Sequence, residues 1–144
     1  MRSMITSVLV MTAVVGVSAH VTVAPRESAA GATQRYTVRV PTEGQVSTTA
    51  VELEVPANVT VTDVPAGQDF RVDTRREDGR IVAITWTREI KPRESADFTF
   101  IATNPSAGEI AWKAHQRFAD GTSADWVGVA GDRRPASVTR LVAK

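Results

Sequence analysis

Residues 70–87, FRVDTRREDGRIVAITWT, contain two runs of alternating apolar and polar side chains around the dipeptide Asp78-Gly79. Alternation of this kind places one face of a β-strand in a core and the other face in water. Asp-Gly readily adopts the positive φ angles that a two-residue turn between antiparallel strands requires. The stretch therefore predicts a β-hairpin, with residues 70–76 and 81–87 as its two strands.

The same alternation continues on both sides of this hairpin. Further strands are predicted at residues 36–40, 49–55, 59–64, 96–102, 110–118 and 137–142. Proline, glycine, asparagine and aspartate separate these runs, and none of them has the period of a helix. About eight or nine strands predict an all-β fold, a sandwich of two antiparallel sheets. Residues 122–136 are the least regular segment and are predicted to be a loop, where function often lies.

The first nineteen residues have the pattern of a secretory signal peptide. Arg2 precedes an apolar run, and Ser18 and Ala19 are small residues at the expected cleavage point. The run is shorter than the about 20 apolar residues that span a membrane. We therefore expect residues 1–19 to be removed and residues 20–144 to form one exported domain, which is periplasmic, on the cell surface or secreted. No hydrophobic anchor is expected at its end.

Composition restricts what this exported domain can bind. The chain has no cysteine, and its methionines, Met1, Met4 and Met11, all lie in the predicted leader. Disulfides are therefore not expected, and the soft sulfur ligands of Cu(I) carriers and blue-copper centres are missing. Any metal must be held by nitrogen and oxygen, a donor set for which Cu(II) has the highest affinity. The leader carries a single charge, Arg2, so the exported domain has no net charge, and no nucleic-acid partner is expected.

His20 follows directly on the predicted cleavage point. Cleavage after Ala19 would give this one residue both a free α-amino group and an imidazole. Such groups lose their protons near neutral pH and can then coordinate a divalent metal as a two-nitrogen chelate. A histidine after a cleavage site can also be accidental, so position alone makes His20 a candidate ligand only.

Carboxylates are the other candidate ligands. Glu43 follows Pro41 at the end of a predicted strand, so its side chain should project from a loop, although it could also be an ordinary solvated glutamate. Asp120 and Asp125 are predicted to be loop acids, with turn formation the expected role of Asp120.

His115 would turn the site into a two-histidine brace if it were a second ligand. It lies between Lys113 and Arg117 on the face of its strand that is predicted to meet water, and two neighbouring cations disfavour a metal there. The sequence also lacks a nucleophile set and a glycine-rich phosphate loop, so neither hydrolysis nor nucleotide chemistry is supported. An enzyme is therefore not predicted.

The three tryptophans differ in their settings. Trp86 and Trp112 alternate with polar residues and are predicted to lie in the core. Trp126 lies in the irregular segment, where its ring could cover a bound cation or close one end of the sandwich. Its indole N–H can only donate a hydrogen bond, so Trp126 cannot be a metal ligand through that atom.

The chain also resembles the YcnI family of exported copper-binding proteins. The motifs that carry the resemblance are His20-Val21-Thr22-Val23 with Pro25, Glu27-Ser28, Gly31-Ala32, Tyr36, Val40-Pro41 with Glu43, Val55-Pro56, Asn104-Pro105, Asp120-Gly121 and Trp126. They span nearly the whole exported domain. The opening His-Val-Thr-Val directly after a leader is the most specific of them.

The resemblance implies a cupredoxin-like β-sandwich that binds one Cu(II) through a single-histidine brace. His20 would supply its amine and a ring nitrogen, Glu43 would supply a carboxylate oxygen, and Trp126 would lie close to the metal. The implied role is acquisition or buffering of copper and its delivery to a membrane importer. Many family members carry a hydrophobic C-terminal anchor, from which this sequence departs.

Two other classes of function stay open. A copper-dependent oxidase or monooxygenase could use the same amine and imidazole, but without sulfur the site should hold Cu(I) poorly. A metal-free extracellular interaction module is also possible, because β-sandwiches serve many functions. The sequence leaves the oligomeric state undetermined.

Overall fold

The computed structural model describes residues 19–143, so residues 1–18 of the predicted leader lie outside the described part and cleavage stays a prediction. Within residues 19–143 the chain forms twelve strands and no helix. In chain order they are β1 Thr22–Ala24, β2 Glu27–Ala29, β3 Thr33–Pro41, β4 Thr48–Glu54, β5 Thr60–Asp63, β6 Arg71–Glu77, β7 Arg80–Ile90, β8 Ser95–Thr103, β9 Glu109–Trp112, β10 Ala114–Phe118, β11 Ser123–Trp126 and β12 Ser137–Val142. This part of the chain accordingly has no helix that could cross a membrane.

The strands form two large sheets and one small sheet. The large sheets have the orders β1-β3-β8-β5 and β11-β10-β4-β7-β6, and all their strand pairs are antiparallel. The small sheet, β2-β12-β9, contains a parallel pair, β2 with β12. The buried faces of the large sheets share one core, which confirms the predicted all-β sandwich.

The hairpin that the sequence predicts is present as β6 and β7. The turn residues Asp78 and Gly79 have φ angles of 50° and 78°. Positive φ at both central positions is typical of the type I′ turn, whose twist matches that of the flanking strands. Gly79 accepts this conformation without a steric cost because it has no Cβ.

Aromatic rings from all three sheets meet in the core. Phe100 of β8 stacks on Tyr36 of β3 at 5.3 Å between ring centroids and lies 6.2 Å from Trp86 of β7. Its ring also contacts Trp112 of β9 edge to face at 5.4 Å. Phe100 has no exposed surface, and Trp86 and Trp112 are buried as predicted. One side chain therefore joins the two large sheets to the small one.

The structure has more strands than the sequence predicts, and two differences have clear causes. The predicted strand 110–118 is two strands, because β9 pairs with β12 while β10 pairs with β4 and β11. Ile110, Trp112, Ala114 and Gln116 are all buried, so the alternation runs unbroken across this change of partner. Periodicity reports which face is buried and not which strand lies alongside.

The predicted loop 122–136 is wrong in its first part. Residues Ser123–Trp126 form β11, which pairs antiparallel with β10 in the register Ala114 to Trp126. Ala124 and Trp126 point into the core, while Asp125 points outward. Asp125 and Trp126 thus lie on a short strand and not in a loop.

Replacing Phe100 tests the claim that this ring joins the three sheets. We expect Phe100→Ala to lower the free energy of unfolding by about 3–5 kcal/mol, because the cavity left behind removes contacts from every sheet. Val129→Ala, at a residue that is 74% exposed, should change it by less than about 0.5 kcal/mol. Urea denaturation measures both. A loss below about 1 kcal/mol for Phe100→Ala would contradict the packing described.

Candidate metal centre

The start of the domain is held in place by β1. This edge strand pairs with β3 in the register Thr22 to Arg39, with Val21 and Val23 buried. On its other side the backbone N–H of Val23 donates to Ser137 Oγ at 2.9 Å. Continuing the β1–β3 register backwards brings His20 level with Pro41, two residues before Glu43.

The His20 ring lies against the indole of Trp126. Their centroids are 5.3 Å apart, and the two rings are tilted by 51°. Trp126 is 8% exposed, whereas His20 is exposed to solvent. The structure therefore brings together these two predicted site residues, although they stand more than a hundred positions apart in the sequence.

Glu43 lies in the turn that follows β3, and its side chain is exposed as predicted. It lines a cavity of about 310 Å³ together with Ala19, Arg93 and Glu94. Ala19 is the residue directly before His20, so the carboxylate borders the point at which cleavage would free the amine. His20 lines a second cavity, together with residues of the loop between β11 and β12.

Side chains alone do not complete a metal site at this place. Among residues 19–143, no three histidine, cysteine, aspartate or glutamate side chains are arranged to hold a metal ion. The donors near the chain start are one imidazole and the exposed carboxylates of Glu43 and Glu94. A complete nitrogen and oxygen donor set would need the α-amine of His20 in addition.

Gln116 is a residue near the site that is not among those predicted from the sequence. Its side chain is 2% exposed, and its Oε1 accepts a hydrogen bond from Trp126 Nε1 at 3.1 Å. The sequence did contain a signal for it. Gln116 is a polar residue at a position where the alternation of its strand, with Ala114 and Phe118 on either side, predicts an apolar one. A polar group on a buried face requires partners, and here they lie beside the candidate ligands.

His115 lies on the opposite face of β10 from Gln116, as the sequence predicts, but it is not simply solvated. Its Nδ1 is 2.7 Å from Asp125 Oδ1 and its Nε2 is 2.8 Å from Glu54 Oε2, and the side chain is 28% exposed. Burial alone would lower the pKa of His115. Hydrogen bonds to Asp125 and Glu54 and their negative charges outweigh burial, so the pKa is raised above its ordinary value.

Asp120 has the turn-forming role that the sequence predicts. Its Oδ1 accepts hydrogen bonds from the Thr122 hydroxyl at 2.6 Å and from the Thr122 backbone N–H at 3.0 Å. These bonds lower the pKa of the Asp120 carboxyl. Asp120 thus shapes the turn between β10 and β11.

The fold and the site together define a class: a β-sandwich domain with a candidate nitrogen and oxygen site at the start of its first strand. The chain belongs to the family described as "Domain of unknown function (DUF1775)", which matches residues 20–141. Over 128 residues it is 38% identical to "Copper-binding protein CutI" of Bacillus subtilis (strain 168), which covers 86% of this chain. The chain spans only 63% of the length of that relative. These two findings confirm the resemblance to the YcnI-like family.

Solved structures show the same fold. An uncharacterized protein from Nocardia farcinica, whose crystal structure is described as immunoglobulin-like, has a TM-score of 0.76 and 28% identity, over 87% of this chain and 99% of that one. A non-cellulosomal cohesin from Archaeoglobus fulgidus has a TM-score of 0.50 and 16% identity, over 85% and 90% of the two chains. The second likeness concerns the fold alone.

The two carboxylates around His115 make stability depend on pH. Since folding raises the pKa of His115, the folded protein binds this proton more tightly than the unfolded chain does. The stabilisation is fully present below the ordinary histidine pKa of about 6.5 and is lost as pH rises through the folded pKa. We expect His115→Gln to reduce the free energy of unfolding more at about pH 5 than at about pH 9. Urea titrations of both proteins measure this difference, and equal losses at the two pH values would contradict it.

Proposed function

We propose that the protein is an exported Cu(II)-binding protein that holds one copper ion per domain at its mature N-terminus. His20 supplies its α-amine and a ring nitrogen as a single-histidine brace, and Glu43 supplies a carboxylate oxygen. The protein binds and buffers copper and passes it to a membrane importer. It is a carrier and not an enzyme.

One observation carries the proposal: the His20 ring lies 5.3 Å from the Trp126 ring at the start of the first strand, where cleavage would free the amine. The relative from Bacillus subtilis, which bears the name copper-binding protein, agrees with this assignment. Glu43 borders the same chain start through the cavity that it shares with Ala19.

The proposed donor set fits the chemistry of Cu(II). An amine, an imidazole and a carboxylate are the nitrogen and oxygen ligands that this ion accepts, and they need no sulfur. Two of the three donors come from His20 alone, because one is its main-chain nitrogen. A site of this kind needs fewer side-chain ligands, which agrees with the finding that no three metal-binding side chains come together among residues 19–143.

Trp126 acts beside the metal and does not ligate it. Its indole N–H already donates to Gln116, so the ring is held in place beside the imidazole of His20. A nearly buried aromatic ring keeps water from one side of the bound ion and attracts positive charge through its π-electrons. The open side, where His20 is exposed, leaves a route for copper to a partner.

The geometry favours a carrier over a copper oxygenase. A two-histidine brace would require His115, but both nitrogens of that ring are engaged by Glu54 and Asp125 on the outer face of β10. A single imidazole with an amine and a carboxylate favours Cu(II) and gives Cu(I) no soft ligand. Such a site stores the oxidised ion and is poorly suited to redox cycling.

The free amine of His20 is the most direct test of this proposal. A protein that begins at His20 should bind Cu(II) at least about 100-fold more tightly than one whose α-amine is acetylated, because acetylation removes one of the two chelating nitrogens. Isothermal titration against a competing chelator measures both affinities. A second control carries a long extension before His20, so that its own free amine lies far from the imidazole. Equal affinities would show that the brace is wrong.

The carboxylate ligand has a matched control in the same cavity. Glu43→Gln replaces a charged oxygen donor by a neutral amide, so it should weaken Cu(II) binding by about tenfold or more and change the electron paramagnetic resonance spectrum. Glu94 is the other carboxylate that lines this cavity, so Glu94→Gln removes the same charge there and should leave the spectrum unchanged. If only Glu94→Gln altered the spectrum, Glu43 would not be the ligand.

A further inference from the structure

Gln116 connects the two parts of the candidate site without belonging to either. Its Oε1 accepts from Trp126 Nε1 at 3.1 Å, and its Nε2 donates to the backbone oxygen of Pro41 at 2.9 Å. The same Nε2 donates to Thr48 Oγ1 at 2.7 Å. Trp126 is the ring beside His20, and Pro41 lies two residues before Glu43. One buried amide therefore touches both sides of the site.

The chemistry of its partners determines the orientation of this amide. An indole N–H can only donate, so it must face the amide oxygen. A backbone oxygen can only accept, so Pro41 must face the amide nitrogen. Both N–H donors of Gln116 are used. If the amide were flipped, its NH2 group would face the indole N–H of Trp126 and its oxygen would face the backbone oxygen of Pro41. The position of Gln116 is thus set by partners that cannot exchange roles.

Two buried threonines extend the hydrogen bonds toward Glu43. The Thr42 hydroxyl donates to the backbone oxygen of Ile90 at 3.0 Å, which uses its only hydrogen. Across the 2.7 Å between the two hydroxyls, Thr48 is therefore the donor and Thr42 the acceptor. Thr48 in turn accepts from Gln116. The hydrogen bonds therefore all run in one direction, from Gln116 through Thr48 and Thr42 to the oxygen of Ile90. Hydrogen bonds aligned in this way strengthen one another.

The backbone of Thr42 is held as firmly as its side chain. Its N–H donates to the oxygen of Glu94 at 2.9 Å, and its oxygen accepts from the N–H of Arg93 at 2.8 Å. Arg93 has a φ of 69°, which is uncommon for a residue other than glycine and shows that its turn is held in an unusual form. The residue directly before Glu43 is thus restrained from both sides.

We infer that Gln116 is the positioning residue of the copper site: through one amide it fixes the Trp126 ring beside His20 relative to the loop that carries Glu43. This inference rests on the proposed function. Gln116 itself contacts neither candidate ligand in any of its hydrogen bonds and acts only through Trp126, Pro41 and Thr48. A carboxamide suits this role because it combines an acceptor with two donors.

The protein contains a matched control for this amide at the other end of β3 and β8. Asn104, also buried, accepts a hydrogen bond from the Tyr36 hydroxyl and donates to Ser28 Oγ at 2.8 Å and to the backbone oxygen of Ala29 at 2.9 Å. It repeats the bonding of Gln116 to an aromatic group, a hydroxyl and a backbone oxygen. Asn104 is nine residues along the chain from Ser95, the ladder partner of Pro41, which corresponds to about 31 Å at about 3.4 Å per residue.

The test compares Gln116→Met with Asn104→Leu in the protein that begins at His20. Each change keeps the size of the side chain and removes its amide, so both should lower the melting temperature. Only Gln116→Met should weaken Cu(II) binding, by about 10-fold to 100-fold, and alter the electron paramagnetic resonance spectrum. An unchanged affinity and spectrum in Gln116→Met, or the same losses in Asn104→Leu, would overturn the inference.

A second pair of variants applies if Gln116→Met does not fold. Thr48→Val keeps the shape of the side chain and removes the hydroxyl between Gln116 and Thr42, whereas Thr48→Ser keeps that hydroxyl. Copper affinity should fall several-fold in the valine variant and recover in the serine variant. Equal affinities in the two variants would count against the positioning role.

A measurement without copper separates this inference from the proposed function. The Trp126 ring should shift the proton resonances of the His20 imidazole, because the rings are 5.3 Å apart. If the processed wild type bound no Cu(II), the proposed function would fail while this shift could still be read. Loss of the shift in Gln116→Met but not in Asn104→Leu supports the positioning role, and its retention in Gln116→Met overturns it.

Discussion

The contacts of Phe100 with rings from three sheets hold the two large sheets and the small sheet together. Tyr36, Trp86 and Trp112 surround its ring, and each belongs to a different sheet. Because these rings bury a large apolar area in one place, the sheets are fixed relative to one another without any disulfide. The edges of the sandwich are then positioned well enough to carry a site.

Polar groups close the two ends of this apolar core. At the two ends, the backbone oxygens of Pro41 and Ala29 each accept a hydrogen bond from a buried side-chain amide. Gln116 donates to the oxygen of Pro41, and Asn104 donates to the oxygen of Ala29. The two ends are alike in bonding and differ in what surrounds them. Among residues 19–143, only the Gln116 end adjoins an exposed imidazole, an indole and an exposed carboxylate, which are the components of the proposed metal site.

Alternation along the chain was sufficient to predict the all-β sandwich, the Asp78-Gly79 hairpin and the burial of Trp86 and Trp112. It could not show that the chain changes its pairing partner at Lys113, because the alternation of buried and exposed residues continues unbroken through that position. The pairing of His20 with Trp126 could be expected only from the family resemblance, since contacts between distant strands leave no periodic signal. The hydrogen bonds of Gln116 depend on three separate strands and required the structure.

Copper is proposed to lie at the mature N-terminus. A crystal structure of the Cu(II)-loaded protein beginning at His20, with anomalous scattering recorded at the copper absorption edge, tests it most directly. We expect a single copper peak bonded to the amine and a ring nitrogen of His20 and to a Glu43 oxygen, with the Trp126 ring alongside. A peak at the His115 carboxylate pair, or no ordered copper at the chain start, would contradict it.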